Sequence, residues 1–336
     1  MKLNGTITDV PGIKVGHAQD FEAITGCTVV ICEKGAVAGV DQRGGAPGTR
    51  ETDAIRPLHL VNKIQAVMLA GGSAFGLDAA SGAMRYLEQK GLGFDAGVAK
   101  VPIVPSAILF DLAIGRSDRR PDAEMGYQAC MNASENAVDQ GCVGAGTGAT
   151  AGNALGAKQS TKSGIGSASI DIGGGVIIGA LIAVNPFGDV CDLQNGQIIA
   201  GTRSISKGPI KIGKEAIFAN TKSFLKTTLG KTALSFASSH NTVIGVVATN
   251  AALDREEANF LAQMAQDGLP LAIRPTHTLF DGDTLFALST GKAHVDVSII
   301  GAFAVDVVAQ AIINAVENAV SLGNIPSLHE LNGLTV

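Results

Sequence analysis

Short runs rich in valine and isoleucine alternate along this chain with longer segments that carry apolar residues at helical spacing. The short runs predict strands at 26–31, 66–69, 177–184, 244–248 and 295–300. The longer segments predict helices at 76–88, 122–140, 254–267 and 302–320, the third opened by Asp254 and Glu257 as a cap pair. Because the two kinds of segment are interleaved, the pattern favours a layered α/β fold over an all-α or all-β fold.

Composition indicates a large, closely packed core. Hydrophobic residues make up 46 % of the 336 residues and charged residues 16 %, which is too apolar for a disordered chain. Glycine occurs 43 times without a collagen-like period, and this indicates tight turns and close backbone approaches. The net charge of −5, the 4 % aromatic content and the lack of tryptophan argue against nucleic acid or an anionic membrane as a partner.

The termini, cysteines and histidines predict a cytoplasmic protein without a metal or other cofactor. The most apolar run, 173–184, is too short to span a bilayer, and the amino terminus is not followed by a signal-like segment. The cysteines are odd in number and lack CxxC spacing, so we expect them to be reduced: Cys27, Cys32, Cys130, Cys142 and Cys191. The six histidines are scattered and form no HExxH motif.

Glycine-rich loops do not form a nucleotide site in this sequence. Gly230-Lys231-Thr232 resembles the end of a phosphate loop, but position 225 is leucine where that motif requires glycine. The glycine-rich run 144–152 does not match the dinucleotide fingerprint. We interpret it as a backbone-lined turn close to a ligand or to another segment.

Candidate nucleophiles are few. There is no GxSxG motif, and a Ser-His-Asp triad cannot be assembled from His17, His59, His277 or His294. Two local features remain, Asn241-Thr242 at the start of a predicted strand and Asp281-Gly282-Asp283. Taken alone, the threonine is an ordinary strand residue or a nucleophile, and the aspartates form a turn or bind a cation. The stretch rich in lysine, serine and threonine at 202–240 is either a surface excursion or a processing loop.

A series of motifs then makes the chain recognisable. They occur in order at 7–17, 41–51, 69–77, 144–152, 162–169, 185–189, 241–245 and 274–284. With them the sequence resembles the self-processing family that includes the L-aminopeptidase/D-esterase, the β-peptidyl aminopeptidases and the endo-type nylon-oligomer hydrolase. The combination of Thr242 with the later segment Asp281-Gly282-Asp283 resembles the pattern of the nylon-oligomer hydrolase more than that of the aminopeptidases.

The resemblance implies a precursor that cuts itself between Asn241 and Thr242. The products would be a large subunit, 1–241, and a small subunit, 242–336, that together form one folded domain. The implied fold is a four-layer αββα sandwich, similar to amino-terminal-nucleophile hydrolases but differently connected. The implied assembly is a homotetramer, and the implied substrates are short peptides or amino-acid amides.

Elementary chemistry supports that use of a threonine. A hydroxyl is a weak nucleophile at neutral pH and needs a base. A freed α-amine has a pKa of about 7.7–8.0 and can serve as that base on the same residue. By the resemblance, Asp281 and Asp283 orient and stabilise the Thr242 amine and hydroxyl, and Asn185 donates to the oxyanion.

Two positions depart from the family pattern. Phe110 stands where some active relatives have tyrosine, and Asn153 stands where many relatives have lysine. The changes remove a phenol and an ammonium from the expected pocket, and Lys162 is the candidate replacement for the positive charge. Two alternative functions therefore stay open, an acyl transferase like ornithine acetyltransferase and an uncleaved homologue without enzymatic activity.

Overall fold

The secondary structure follows the predicted alternation in most of the chain. The computed structural model describes residues 5–205, 212–213, 217–231 and 241–333. The strands are β1 (Lys14–Asp20), β2 (Thr25–Gln42), β3 (Thr49–Arg50), β4 (Ile64–Ala70), β5 (Phe94–Asp95), β6 (Lys100–Val101), β7 (Ser106–Ile108), β8 (Thr150–Ala151), β9 (Thr161–Lys162), β10 (Ile165–Asp171), β11 (Ile177–Asn185), β12 (Asp189–Cys191), β13 (Ile198–Ala200), β14 (Thr242–Ala251), β15 (Ile273–Arg274) and β16 (Thr284–Ala293). The helices are α1 (Ala79–Gln89), α2 (Ala123–Met131), α3 (Thr221–Leu225), α4 (Arg255–Ala265), α5 (Gly268–Ala272), α6 (Val297–Glu317) and α7 (Leu328–Leu331).

One long strand joins two layers of sheet. The first half of β2 pairs with β1 and β4, and its second half pairs with β16. A register shift between Ile31 and Ala36 separates the two halves. The hydrogen-bonded order is β10-β11-β14-β16-β2-β4-β7-β3. We call the β10, β11, β14 and β16 side the β14 sheet, and the β4, β7 and β3 side the β4 sheet.

Buried apolar clusters separate four layers. One cluster lies between the sheets and joins Leu69 of the β4 sheet to Val246 and Phe286 of the β14 sheet. A second packs the opposite face of the β14 sheet, including Val247, against α4, α5 and α6. A third packs the opposite face of the β4 sheet, including Met68, against α1 and α2. Because successive strand residues face opposite sides, this order is an αββα sandwich, and the prediction is confirmed.

The predicted strand at 295–300 is wrong. Asp296 is instead the N-cap of α6, and its carboxylate accepts the N–H of Ser298 at 2.8 Å. Val295 and Val297 alternate with polar residues and imitate a strand over a window too short to show the helical period. The buried residues of the longer segment recur at helical spacing from Ile300 onward.

Helix α6 is long and apolar enough to cross a bilayer by length and mean hydropathy. In this fold most of the helix is buried, and it packs against β10 and β11. The approach is close because a Cβ atom at Gly166 would lie 2.1 Å from the carbonyl oxygen of Ala311. Glycine at 166 therefore sets the distance between the helix and the sheet.

Tertiary contacts decide where other predicted helices end. The helix predicted at 122–140 ends at Met131, because the chain then turns so that Ser134 exchanges backbone hydrogen bonds with Val15 of β1. The predicted cap of α4 is present, since Asp254 and Glu257 each accept the other's backbone N–H. Within the stretch 202–240, residues 206–211, 214–216 and 232–240 lie outside the described residues. The choice between a surface excursion and a processing loop concerns mainly these residues.

Candidate active site

The β14 sheet brings the candidate nucleophile and its expected partners to one edge. Thr242 is the first residue of β14 and lies directly opposite Asn185, the last residue of β11. Directly opposed residues have Cβ atoms about 4.5–5.5 Å apart. Strand β16 runs parallel to β14 and begins at Thr284, so Asp281 and Asp283 precede it at the same edge. These site residues are almost fully buried.

The peptide bond before Thr242 is held by the loop that carries the two aspartates. The backbone N–H of Asn241 donates to the carbonyl oxygen of Phe280 at 2.8 Å, and the N–H of Gly282 donates to the carbonyl oxygen of Asn241 at 2.9 Å. The hydroxyl of Thr242 donates to that same carbonyl oxygen at 2.5 Å. The hydroxyl thus lies beside the carbonyl that self-cleavage would require it to attack.

Asp283 links β14, the strand that begins at Thr242, to a histidine. One carboxylate oxygen accepts the N–H of Val243 at 2.9 Å. The other accepts the backbone N–H of His277 at 3.2 Å and lies 2.8 Å from its Nδ1. His277 has a φ of 55°, a left-handed conformation that few residues with a Cβ adopt. The Nε2 atom of this ring is buried and has no hydrogen-bond partner within the part of the chain that the structure describes.

Asp281 is a buried carboxyl with a raised pKa. Its oxygens accept the N–H of Phe187 at 3.1 Å and, from Thr278, the N–H at 2.9 Å and the hydroxyl at 2.6 Å. Burial, followed by the neighbouring Asp283 carboxylate, raises the pKa of Asp281 to about 6. The hydrogen bonds from Thr278 and Phe187 act in the opposite direction because they stabilise the ionised form.

The side-chain amide of Asn185 has a defined orientation. Its Oδ1 accepts the backbone N–H of Thr150 at 2.9 Å and lies 3.3 Å from the Thr150 hydroxyl. Its Nδ2 donates to the carbonyl oxygen of Phe110 at 3.1 Å. A backbone N–H can only donate and a carbonyl can only accept, so the amide cannot be flipped. An amide nitrogen carries two N–H groups, and the contact with Phe110 uses one of them.

The two positions that depart from the family pattern are placed near this amide. Phe110 contributes the carbonyl that Asn185 contacts. Asn153 is buried and forms hydrogen bonds with Thr150 and Pro186. Its Oδ1 accepts a hydrogen bond from the Thr150 hydroxyl at 2.9 Å. Its Nδ2 donates to the carbonyl oxygen of Thr150 at 3.2 Å and to that of Pro186 at 3.1 Å. Asn153 therefore acts as a link between two backbone segments.

Lys162 lies beneath the glycine-rich turn. Its side chain is fully buried, and its ammonium donates to the carbonyl oxygens of Ser163 at 2.5 Å, Ala149 at 2.8 Å and Gly146 at 3.3 Å. Burial lowers the pKa of this ammonium, and the thiol of Cys142 nearby opposes that shift. These three carbonyl groups hold the ammonium against the turn.

The sequence alone assigned no role to Gly282, Thr150 or His277. Gly282 acts through a backbone N–H, which leaves no side-chain signal. In the sequence, Thr150 is one residue of the glycine-rich run, and His277 is one of six scattered histidines. The occurrence of His277 and Thr278 within the motif at 274–284 was the available signal. Among the described residues, no group of three or more His, Cys, Asp or Glu side chains is placed to hold a metal ion.

Comparison with known proteins identifies the chain. A family model described as peptidase family S58 matches residues 5–325. An uncharacterized aminopeptidase of Mycobacterium tuberculosis is 40 % identical, with 97 % of each chain covered. A 6-aminohexanoate-oligomer endohydrolase of Kocuria is 30 % identical over 91 % of this chain and 84 % of its own. The solved L-aminopeptidase D-Ala-esterase/amidase of Ochrobactrum anthropi superposes with a TM-score of 0.70 at 19 % identity, with 96 % of this chain and 88 % of that chain covered.

These matches define the class of protein as a hydrolase of peptide or amide bonds. Within that class, the chain belongs to peptidase family S58. The family resemblance stated from the motifs is therefore confirmed, and the expectation of a homologue without enzymatic activity is not favoured.

Proposed function

We propose that this protein is a self-cleaving amide hydrolase whose nucleophile is the threonine freed by a cut between Asn241 and Thr242. The observation that carries the proposal is the geometry at the uncut bond. The Thr242 hydroxyl lies 2.5 Å from the Asn241 carbonyl oxygen, and the Gly282 N–H donates to that oxygen.

Self-cleavage follows as an acyl shift. The Thr242 hydroxyl oxygen attacks the Asn241 carbonyl carbon, and the Gly282 N–H stabilises the negative charge that develops on the carbonyl oxygen. The C–N bond then breaks, the nitrogen takes up the proton lost by the hydroxyl, and an ester joins Asn241 to the Thr242 oxygen. Water hydrolyses this ester and leaves a carboxylate on Asn241 and a free amine on Thr242.

The free amine makes the hydroxyl an effective nucleophile in later turnovers. It accepts the hydroxyl proton as the oxygen attacks a substrate carbonyl, and it donates a proton to the leaving amine. Asp283 stabilises the new amino terminus through the adjoining Val243 N–H. The remaining N–H of Asn185 donates to the oxyanion, a contribution of about 3–4 kcal/mol for one such donor. Water then releases the acyl group.

The uncut chain also indicates the substrate class. Asn241 occupies the position that a substrate's acyl residue takes in the same reaction. Its N–H donates to the Phe280 carbonyl, which the free amine of a short peptide or amino-acid amide can also do. The name of the mycobacterial relative, an aminopeptidase, falls within this class, and the name of the Kocuria relative is that of an endohydrolase of 6-aminohexanoate oligomers.

Subunit organisation follows from the position of the cut. Residues 1–241 and 242–336 stay together because β14 pairs with β11 and β16 pairs with β2, and both β11 and β2 are strands of the large subunit. We further propose that the protein acts in the cytoplasm as a homotetramer. Native mass spectrometry of purified protein measures that assembly.

Intact-mass analysis over time tests the central claim. We expect purified protein to convert into fragments 1–241 and 242–336 and then to hydrolyse chromogenic aminoacyl amides. Thr242→Ala is expected to abolish both events, whereas the matched control Thr249→Ala, in the same strand, is expected to retain them. Persistent full-length wild-type protein without amidase activity would refute the proposal. Transfer of an acetyl group to ornithine in preference to water would instead support the acyl transferase.

A further inference from the structure

We propose that Thr150, Asn153 and Lys162 form a clamp that positions the oxyanion donor Asn185 and thereby sets the rate of the chemical step. The inference rests on the proposed role of Asn185. It adds three residues that act through Asn185 and do not touch the reacting atoms. We call them the Thr150 clamp.

The peptide group between Ala149 and Thr150 is held at both ends. Its carbonyl oxygen accepts the Lys162 ammonium at 2.8 Å, and its N–H donates to Asn185 Oδ1 at 2.9 Å. Hydrogen bonds in series polarise one another in a low-dielectric interior. A positive charge at the carbonyl therefore strengthens the N–H as a donor, and that in turn makes the Asn185 Nδ2 group a better donor toward an oxyanion.

Asn153 restrains Thr150 from another direction. The Thr150 hydroxyl donates to Asn153 Oδ1 at 2.9 Å and also contacts Asn185 at 3.3 Å. Asn153 Nδ2 reaches the carbonyl of Thr150 and the carbonyl of Pro186, the residue after Asn185. The side chain thus ties the two backbone segments that determine where the Asn185 amide lies.

Burial makes the clamp sensitive to change. Thr150, Asn153, Lys162 and Asn185 are all buried, so bulk water cannot readily replace a lost partner. An error of about 1 Å in a reacting group can cost about 100-fold in rate. The clamp therefore acts on catalysis by fixing the amide, and an added lysine at 153 would disrupt it.

A double-mutant cycle between Thr150 and Asn185 tests this inference. Both kcat and KM are measured with a chromogenic aminoacyl amide. The value of kcat is expressed per molecule of cleaved protein, whose amount is determined by intact-mass analysis. We expect Thr150→Val to lower kcat about 10- to 100-fold with little change in KM, and Asn185→Ala to lower it about 100- to 1,000-fold. If Thr150 acts through Asn185, the double variant is no slower than Asn185→Ala alone. Losses that multiply would overturn the inference.

Further variants separate positioning from folding. Thr150→Ser keeps the hydroxyl and is expected to restore most of the rate, and Asn153→Lys is expected to lower kcat. The matched control is Thr161→Val, a buried threonine that bonds to Gly201 instead of Asn185, with an expected kcat near that of wild type. If Thr150→Val does not fold, Asn153→Asp takes its place in the cycle, because it keeps the size and the Oδ1 acceptor of Asn153 and replaces the Nδ2 donor with a carboxyl oxygen. An inactive wild type would refute the proposed function, whereas multiplying losses in an active wild type would refute the clamp alone.

Discussion

Removing one hydroxyl by Thr278→Val should move the acid limb of the pH–rate profile upward. The Thr278 hydroxyl donates to Asp281 at 2.6 Å, and burial with the neighbouring Asp283 already raises the pKa of Asp281 to about 6. A hydrogen bond to a charged group contributes about 1.5–3 kcal/mol, and one pKa unit corresponds to about 1.4 kcal/mol. Loss of this bond should therefore raise the pKa of Asp281 by about one to two further units.

The assay is kcat/KM against pH, from about pH 5 to about pH 9, on fully cleaved protein. Protonation of the Thr242 amine should lower the rate of both proteins below about pH 8. The further acid limb due to Asp281 is expected below about pH 6 in the wild type and one to two units higher in Thr278→Val. The two rates should converge at alkaline pH, where Asp281 is ionised in both proteins. Thr278→Ser keeps the donor and should retain the wild-type profile. An acid limb that stays in place, or that moves to lower pH, would refute the reasoning.

Stability gives an independent check with a defined sign. Because the pKa of Asp281 is raised in the fold, its stabilising contribution is complete below about pH 4 and is lost as the pH rises through about 6. In Thr278→Val the loss continues to higher pH, because the hydrogen bond that the substitution removes stabilises the ionised form of Asp281 in the wild type. Thr278→Val should therefore lower Tm more at about pH 8 than at about pH 5. An equal decrease at both values would contradict the assignment.

Three further outcomes are expected. Asn185→Asp should slow hydrolysis by at least as much as Asn185→Ala, because a carboxylate repels the oxyanion, and steady-state kinetics on cleaved protein will compare them. His277→Ala should slow self-cleavage about 10- to 100-fold through loss of its contact with Asp283, and His277→Asn should slow it less, as intact-mass time courses will show; the exposed control His294→Ala should leave the rate unchanged. Gly166→Ala should lower the free energy of unfolding by about 1–3 kcal/mol in urea titrations, because its Cβ would overlap Ala311 of α6; an unchanged midpoint would contradict this packing.

The layered fold could be predicted from local pattern because most strands and helices repeat their period over enough residues. The exception at 295–300 shows the limit, since a strand-like alternation over a few residues cannot reveal the helix that follows it. The end of α2 at Met131 shows another limit. There a backbone pairing with a distant strand overrides the continuing helical pattern.

The candidate site was predictable only where side chains carry a family motif. Thr242, Asp281, Asp283 and Asn185 were selected by resemblance, and the β-strand register places them at one edge. The Gly282 N–H could not be predicted in this way, because every residue except proline has one and its role depends on where the loop lies. Asn153 and Lys162 are pocket candidates from the sequence, but their arrangement around Thr150 and Asn185 could not be predicted, because it depends on how separate segments of the chain pack together.

The place of β14 between β11 and β16 also determines how a cleaved molecule responds to heating. Once the bond before Thr242 is cut, unfolding releases two separate polypeptides, and each exposes strand edges that the other had covered. Recovery then requires two chains to meet, so it becomes slow and concentration-dependent while aggregation competes with it. The uncut Thr242→Ala chain should regain its structure on cooling, whereas the mature enzyme should lose it after a single thermal scan.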